Sequence, residues 1–145
     1  MKIAIASDHG GFELKDILVA YLTEKGHTVN NLGTNSADSV DYPDYAKVCC
    51  DEVLSRNADF GILVCGTGVG ISIAANKIDG IRCGLCPSKE IAALVKQHNN
   101  ANVIALGGRF TSPEEGKAIV DSYMAAEFEG GRHQQRVDKI MALEK

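Results

Sequence analysis

ILVCGTGVGISIAANK, residues 62–77, decides how the rest of the chain is read. It begins as an apolar run, as a strand buried on both faces does. Cys65 ends that run, and Gly66, Gly68 and Gly70 follow within five residues. A small-residue helical pattern then leads to Lys77. Strand, glycine loop and helix in this order form one βα unit. The loop is rich in backbone N–H groups and poor in side chains, and a thiol stands at its mouth.

Outward from this unit the pattern repeats. KIAIAS (2–7) is an apolar, β-prone run, and FELKDILVAYLTEKG (12–26) carries Phe12, Ile17, Leu18, Tyr21 and Leu22 near helical spacing, with Gly26 as a stop. TVNNLG (28–33) predicts a second strand. Asp38 to Tyr45 predicts a loop entering a helix that continues through AKVCCDEVLS, with Pro43 tolerated in its first turn. FGILVC (60–65) is the third strand, GIRCGLC (80–86) a fourth and NVIALG (102–107) a fifth. PSKEIAALVKQH (87–98) and SPEEGKAIVDSYMAAEF (112–128) predict helices. The second opens on Ser112, Pro113, Glu114 and Glu115, which suit capping and the helix dipole. GGRHQQRVDKIMALEK (130–145) predicts a final amphipathic helix. Strands alternating with helices imply an α/β fold: a Rossmann-like three-layer arrangement with a five-stranded parallel sheet, plus a C-terminal helix.

The chain of 145 residues is expected to form a single domain, 1–145. Apolar residues make up 45% and charged residues 23%, which places it among globular chains rather than disordered ones. The formal net charge of −4, with acids and bases interspersed, leaves no footprint for nucleic acid or an anionic membrane. The start, MKIAIASDHGG, lacks the pattern of a signal peptide, and no apolar run approaches the roughly 20 residues a bilayer requires. Five cysteines, with Cys49 and Cys50 adjacent, argue against a disulfide framework and for a reducing, cytoplasmic setting.

Ligands in doubly wound sheets bind beyond the carboxyl ends of the strands. Three predicted strand ends carry polar or thiol groups beside glycines: Ser7, Asp8, His9, Gly10 and Gly11; Cys65 to Gly70 with Thr67 and Val69; and Gly107, Gly108 and Arg109. Cysteine also ends strands as a small buried hydrophobe. Here a helix begins within a few residues, and its dipole and free amides favour a thiolate, a base or nucleophile. GTGVGIS lacks the lysine of a P-loop. The dinucleotide fingerprint has another spacing and follows the first strand. The Cys-x5-Arg loop of cysteine phosphatases would need an arginine where Ile71 stands. What remains is a ring of backbone donors beside a thiol, suited to an enediolate or another oxyanion.

CGLC (83–86) falls within a predicted strand, where a three-residue separation puts Cys83 and Cys86 on opposite faces, and both read as core rather than zinc or redox ligands. His98, at a helix end, precedes the fifth strand, whereas Cys65 ends the third. A five-residue strand spans roughly 17 Å, so His98 reaches the Cys65 site most simply from a second subunit. Arg132 and Arg136, spaced i, i+4, share one helix face, either a solvated basic face or a phosphate clamp.

SDHGG (7–11), YPDYA (42–46), ILVCGTGVGISIAANK, GIRCGLC, QHNNANVIALGGR (97–109) and EGGRHQQRV (129–137), in this order, resemble ribose-5-phosphate isomerase type B, within a group that includes galactose-6-phosphate and allose-6-phosphate isomerases. The resemblance runs nearly end to end. It implies interconversion of an aldose 5-phosphate and its ketose without metal or organic cofactor, in a homodimer or a tetramer with the active site at a subunit interface. Carried over, Cys65 is the base moving a proton between C2 and C1, and Gly66, Thr67, Gly68, Val69 and Gly70 offer N–H groups to the enediolate. Thr67 and His98 assist ring opening, His98 as proton donor. Asp8 and Asn99 bind sugar hydroxyls, His9, Arg109, Arg132 and Arg136 hold the phosphate end, and Tyr42 lies near the sugar or packs. Isomerisation of a hexose 6-phosphate is the nearest alternative, followed by a phosphate- or nucleotide-binding module without catalysis.

Overall fold

The structure is a computed structural model and describes residues 1–144. Five strands, β1 (Lys2–Ser7), β2 (Thr28–Asn31), β3 (Phe60–Cys65), β4 (Cys83–Leu85) and β5 (Val103–Gly107), form one parallel sheet in the order β2-β1-β3-β5-β4. Six helices accompany them: α1 (Phe12–Glu24), α2 (Tyr42–Leu54), α3 (Val69–Asn76), α4 (Lys89–Gln97), α5 (Pro113–Ala125) and α6 (Arg132–Met141). This is the Rossmann-like three-layer architecture expected from the alternation of patterns.

Strand alternation sorts the core into two halves. Ile3, Ile5, Phe60, Ile62, Val64, Ile104 and Leu106 pack with Leu14, Leu18 and Leu22 of α1 and Ile119, Val120 and Tyr123 of α5. Ala4, Ala6, Leu63, Cys65, Val103 and Ala105 face α2 and α3 through Ala46, Cys49, Cys50, Ile71 and Ala75. The second half is built of small residues, so its helices lie close: a Cβ on Gly61 would stand 2.9 Å from the Cys49 sulfur. Cys83 and Cys86 do fall on opposite faces, Cys86 in the first cluster and Cys83 against the second.

Boundaries differ from the sequence reading where side chains capture the backbone. The fourth strand is three residues long rather than seven. Asn102 takes the Arg82 N–H and gives its own amide to the Gly80 carbonyl, so residues 80–82 form a turn. The Asn76 amide bonds both the N–H and the carbonyl of Cys83. This occupies part of an edge strand's exposed ladder. Helix α4 starts after Ser88, whose hydroxyl accepts the Ile91 N–H, and Pro87 lies outside it. The predicted cap of α5 forms as a reciprocal box between Ser112 and Glu115, but α5 stops at Ala125, and an extended strap leads to α6. The predicted end of α6, Lys145, lies outside the described residues.

From β1 the chain moves outward to β2 and then back across β1 to β3, after which it continues toward β5 and β4. The winding therefore reverses between β1 and β3, and the carboxyl ends of these two strands form the crevice where such sheets bind ligands.

Candidate active site

Asp8 and Cys65 leave adjacent strands at this reversal; Ser7 pairs with Val64 in the β1–β3 register. The loops beyond are drawn together by backbone contacts that leave no room for side chains. A Cβ on Gly10 would lie 3.1 Å from the Gly66 nitrogen, and one on Gly108 2.8 Å from the Gly10 oxygen. One on Gly107 would lie 2.6 Å from the Thr67 oxygen. The Gly108 and Arg109 N–H groups donate to the carbonyls of Cys65 and Gly66. The three glycine-bearing strand ends thus meet as one surface.

Cys65 is 4% exposed, its carbonyl fixed by Gly108, with the glycine loop directly after it. Gly68 caps α3 at φ +79°, a left-handed conformation that glycine adopts without cost. The helix start leaves amides unpaired. Among the described residues, the N–H groups of Thr67, Gly68 and Gly70 have no partner. Val69 differs from the expectation: its N–H donates to the Thr67 hydroxyl oxygen at 3.1 Å, so that donor is already engaged. The arrangement offers an incoming oxyanion several amides beside a sulfur.

Asp8 is buried and accepts the Gly10 N–H at 2.9 Å. His9 accepts the Val40 N–H on Nδ1 at 3.2 Å. In the neutral ring this assignment places the proton on Nε2, which is left to face a ligand. Tyr42 rests against the loop, with its ring carbon 2.7 Å from where a Gly70 Cβ would be. Arg109 is exposed, and its Nη1 lies 3.0 Å from the corresponding point on Gly66. Asp8, His9, Tyr42, Cys65 to Gly70 and Arg109 are therefore neighbours.

His98, Asn99, Arg132 and Arg136 are not among them. In the β3–β5 ladder Gly61 pairs with Val103 and Cys65 with Gly107. His98 caps α4 before β5 begins, so at least the four residue steps of this ladder, roughly 13 Å, separate it from Cys65 within one chain. At that opposite end His98 stacks on His133, with ring centroids 4.2 Å apart and planes inclined by 11°. Glu129 Oε1 lies 3.4 Å from His133 Nε2 and 3.8 Å from His98 Nε2. Burial pushes the His133 pKa down, the positive charges of His98 and Arg132 lower it further, and Glu129 opposes them. Arg132 and Arg136 project from the exposed side of α6, which buries His133 and Val137.

Sequence reading gave Glu129 and His133 no role: both lie in EGGRHQQRV, but no spacing in that stretch shows that the strap brings them to His98. Their ligand atoms and that of His98 lie within 4.8 Å of one another, close enough to consider a metal ion. Near-parallel rings direct their in-plane lone pairs along separate planes, so one ion cannot meet both without a ring rotation. The group as it stands is a stacked histidine pair with one carboxylate beside it.

A family model described as Ribose/Galactose Isomerase matches residues 3–140. Ribose-5-phosphate isomerase B of Escherichia coli is 51% identical over 143 residues, 99% of this chain and 96% of that protein. Among solved structures, a ribose 5-phosphate isomerase of Thermotoga maritima superposes with a TM-score of 0.96 at 52% identity, covering 98% of each chain. Ribose-5-phosphate isomerase B of Mycoplasma genitalium, solved with bound ribulose-5-phosphate, superposes with a TM-score of 0.92 at 48% identity, covering 97% of this chain and 94% of that one. With likeness of this depth along nearly the whole length, the chain belongs to the ribose/galactose isomerase family.

Proposed function

We propose that the chain, as a single domain, interconverts ribose 5-phosphate and ribulose 5-phosphate in the cytoplasm. The observation that carries this reading is a thiol and several unpaired amides at the reversal of a sheet, in a chain half-identical to enzymes named for that reaction. The sugar's C2 hydrogen is weakly acidic until its carbonyl is polarised. In the open-chain aldose, the Cys65 thiolate takes the C2 proton. The electron pair moves toward O1, and the resulting enediolate is held by the Thr67, Gly68 and Gly70 amides. The thiol then returns the proton to C1 as the O2 proton passes to O1, leaving a ketone at C2. No atom is gained or lost, and the base ends as it began.

Ribose 5-phosphate is mostly cyclic, so a proton must first reach the ring oxygen as the C1 hydroxyl loses its own. His98 supplies that proton, and Thr67 assists at the hydroxyl. Asp8 and Asn99 hold sugar hydroxyls. The His9 Nε2–H, Arg109, Arg132 and Arg136 surround the phosphate, for which guanidinium forks are well shaped.

Because the two residue groups lie at opposite ends of one sheet, the working site takes Cys65 from one subunit and His98, Asn99, Arg132 and Arg136 from another. The exposed Val69 and Ile73 on α3, directly after the Cys65 loop, support a homodimer that covers this face. Five free thiols support a reducing compartment. The test is an aldose–ketose assay across ribose 5-phosphate, allose 6-phosphate and galactose 6-phosphate, with a chelator present and deuterium at C2. Turnover fastest on the pentose, with the label washed out to solvent or carried to C1, is expected. Turnover confined to a hexose phosphate, or none, rejects the reading.

A further inference from the structure

GIRCGLC contains an arginine that the mechanism leaves unused. Arg82 follows the turn before β4, and its side chain runs to the far end of α4. Nε donates to the carbonyls of Asn99 at 3.1 Å and Asn100 at 3.2 Å, and Nη2 donates to Asn100 at 2.7 Å. These are the two residues directly after His98. Nη1 lies 3.3 Å from the Met141 sulfur, which ties the same guanidinium to α6, the helix carrying His133.

We propose that Arg82 is a positioning residue for His98, fixing the turn that presents its imidazole; the inference rests on the reading of His98 as the proton donor in ring opening.

The turn needs such a clamp. Asn100 sits at φ +44°, a left-handed conformation that L residues seldom adopt and that persists only when the surroundings impose it. The Asn100 N–H bonds back to Lys96, and its side-chain oxygen takes the Lys96 ammonium at 3.1 Å. The Gln97 carbonyl takes the Glu129 N–H at 3.0 Å. The Asn99 and Asn100 carbonyls lie just past the end of α4, beside the negative end of its dipole, where a cation is favoured. A guanidinium reaches both carbonyls with a planar fork, whereas a lysine ammonium would act as a point charge. Arg82 is itself held at its backbone, its N–H donating to Asn102 Oδ1 at 2.8 Å. The clamp is therefore braced from β4 through the turn to α6.

Two directions of the reaction separate positioning from stability. Ribulose 5-phosphate cannot close a furanose ring, because its phosphate occupies O5. Exchange of its C1 hydrogen with heavy water therefore needs only the proton transfer at carbon, not ring opening. In Arg82→Met, kcat on ribose 5-phosphate is expected to fall about tenfold or more, while C1 exchange on ribulose 5-phosphate stays within about twofold. Arg82→Lys should recover part of the loss. His98→Asn should give the same split, and adding Arg82→Met to it should cost nothing further. If Arg82→Met does not give the parent's circular dichroism and sedimentation, Arg82→Lys carries the same comparison. Equal loss of both activities, or loss of neither, overturns the proposal while leaving His98 in place. A His98→Asn protein without the split removes the role of His98, and the Arg82 proposal falls with it.

Discussion

Cys65 stands directly across from Gly107 in the β3–β5 ladder, whereas His98 lies beyond the other end of the same ladder. The proposed use of both in one reaction therefore needs two subunits. Cys65→Ala and His98→Ala proteins should each be inactive on ribose 5-phosphate. After mixing and subunit exchange, half the dimers are hybrids, and each hybrid rebuilds one intact site of two. Activity should return to about a quarter of the parent's. A verified hybrid with no recovered turnover would place both residues in some other relationship.

Alkylation should distinguish Cys65 from the other thiols. Burial pushes the Cys50 and Cys86 pKa values up to about 12, and Cys49 and Cys83 are also raised, chiefly by burial. Only a thiolate attacks iodoacetamide at a useful rate. Near neutral pH, one label should enter at Cys65 together with loss of activity, and ribulose 5-phosphate should protect it. Labelling of Cys50 or Cys86 first, with activity retained, contradicts this assignment.

Every strand and helix was legible in the sequence, because each buried strand is an apolar run closed by glycine or a polar cluster, and each helix carries a stop or cap nearby. Length was less legible. The Asn102 and Asn76 amides shorten β4 from outside the strand, and a single-chain pattern holds no sign of such remote bonds. The site divided in the same way. Residues on glycine loops at strand ends were readable because loop position alone places them in the crevice. Glu129 and His133 meet His98 through an extended strap whose path no periodicity dictates, and Arg82 acts through carbonyl groups, which leave no mark in residue types.

Gly107→Ala should damage the loop rather than the fold at large. The added methyl would stand 2.6 Å from the Thr67 carbonyl oxygen and 2.8 Å from its carbon, both backbone atoms in the loop proposed to hold the enediolate. Relief requires moving residues 66–68 away from β5. A stability loss of about 1–3 kcal/mol is expected, typical of forced overpacking. The fall in kcat on ribose 5-phosphate should be larger than that loss predicts from unfolding alone. Parent-like kcat in the variant would mean that loop position is not critical.

Lys15 has no exposed side-chain surface, which its place in a helical pattern did not foretell. Its ammonium bonds Asp16 Oδ1 at 2.7 Å, Asn31 Oδ1 at 2.8 Å and Asn35 Oδ1 at 3.0 Å. It thus clips α1 to the segment that leaves β2, where Gly33 and Thr34 bond both backbone groups of Ser7. Lys15→Met keeps the volume and removes the clip. Its three partners are exposed enough to regain water, so a loss of about 2 kcal/mol is expected rather than the larger cost of a stranded buried charge. Denaturant unfolding measures this loss. The Thr34 amide, next to Asp8's strand, should exchange its hydrogen faster in the variant; unchanged exchange would mean the segment holds without Lys15.

His133 predicts a pH dependence whose sign follows from its surroundings. Burial, the stacked His98 ring, and Arg132 and Arg136 on its own helix all lower its pKa below the ordinary 6.5, with Glu129 alone raising it. In the unfolded chain those influences vanish, and the ring takes up its proton at the ordinary value. As pH falls through 6.5 the unfolded state gains protons first, so the folded state loses stability until the folded ring also titrates. Unfolding free energy should therefore be full above 6.5 and decline as pH falls through and below that value. His133→Gln should flatten that decline, because glutamine has nothing to protonate. Glu129→Gln should steepen it, because the one influence favouring the charged ring is gone. Parallel declines in the parent and His133→Gln would show that the stacked pair contributes no linkage.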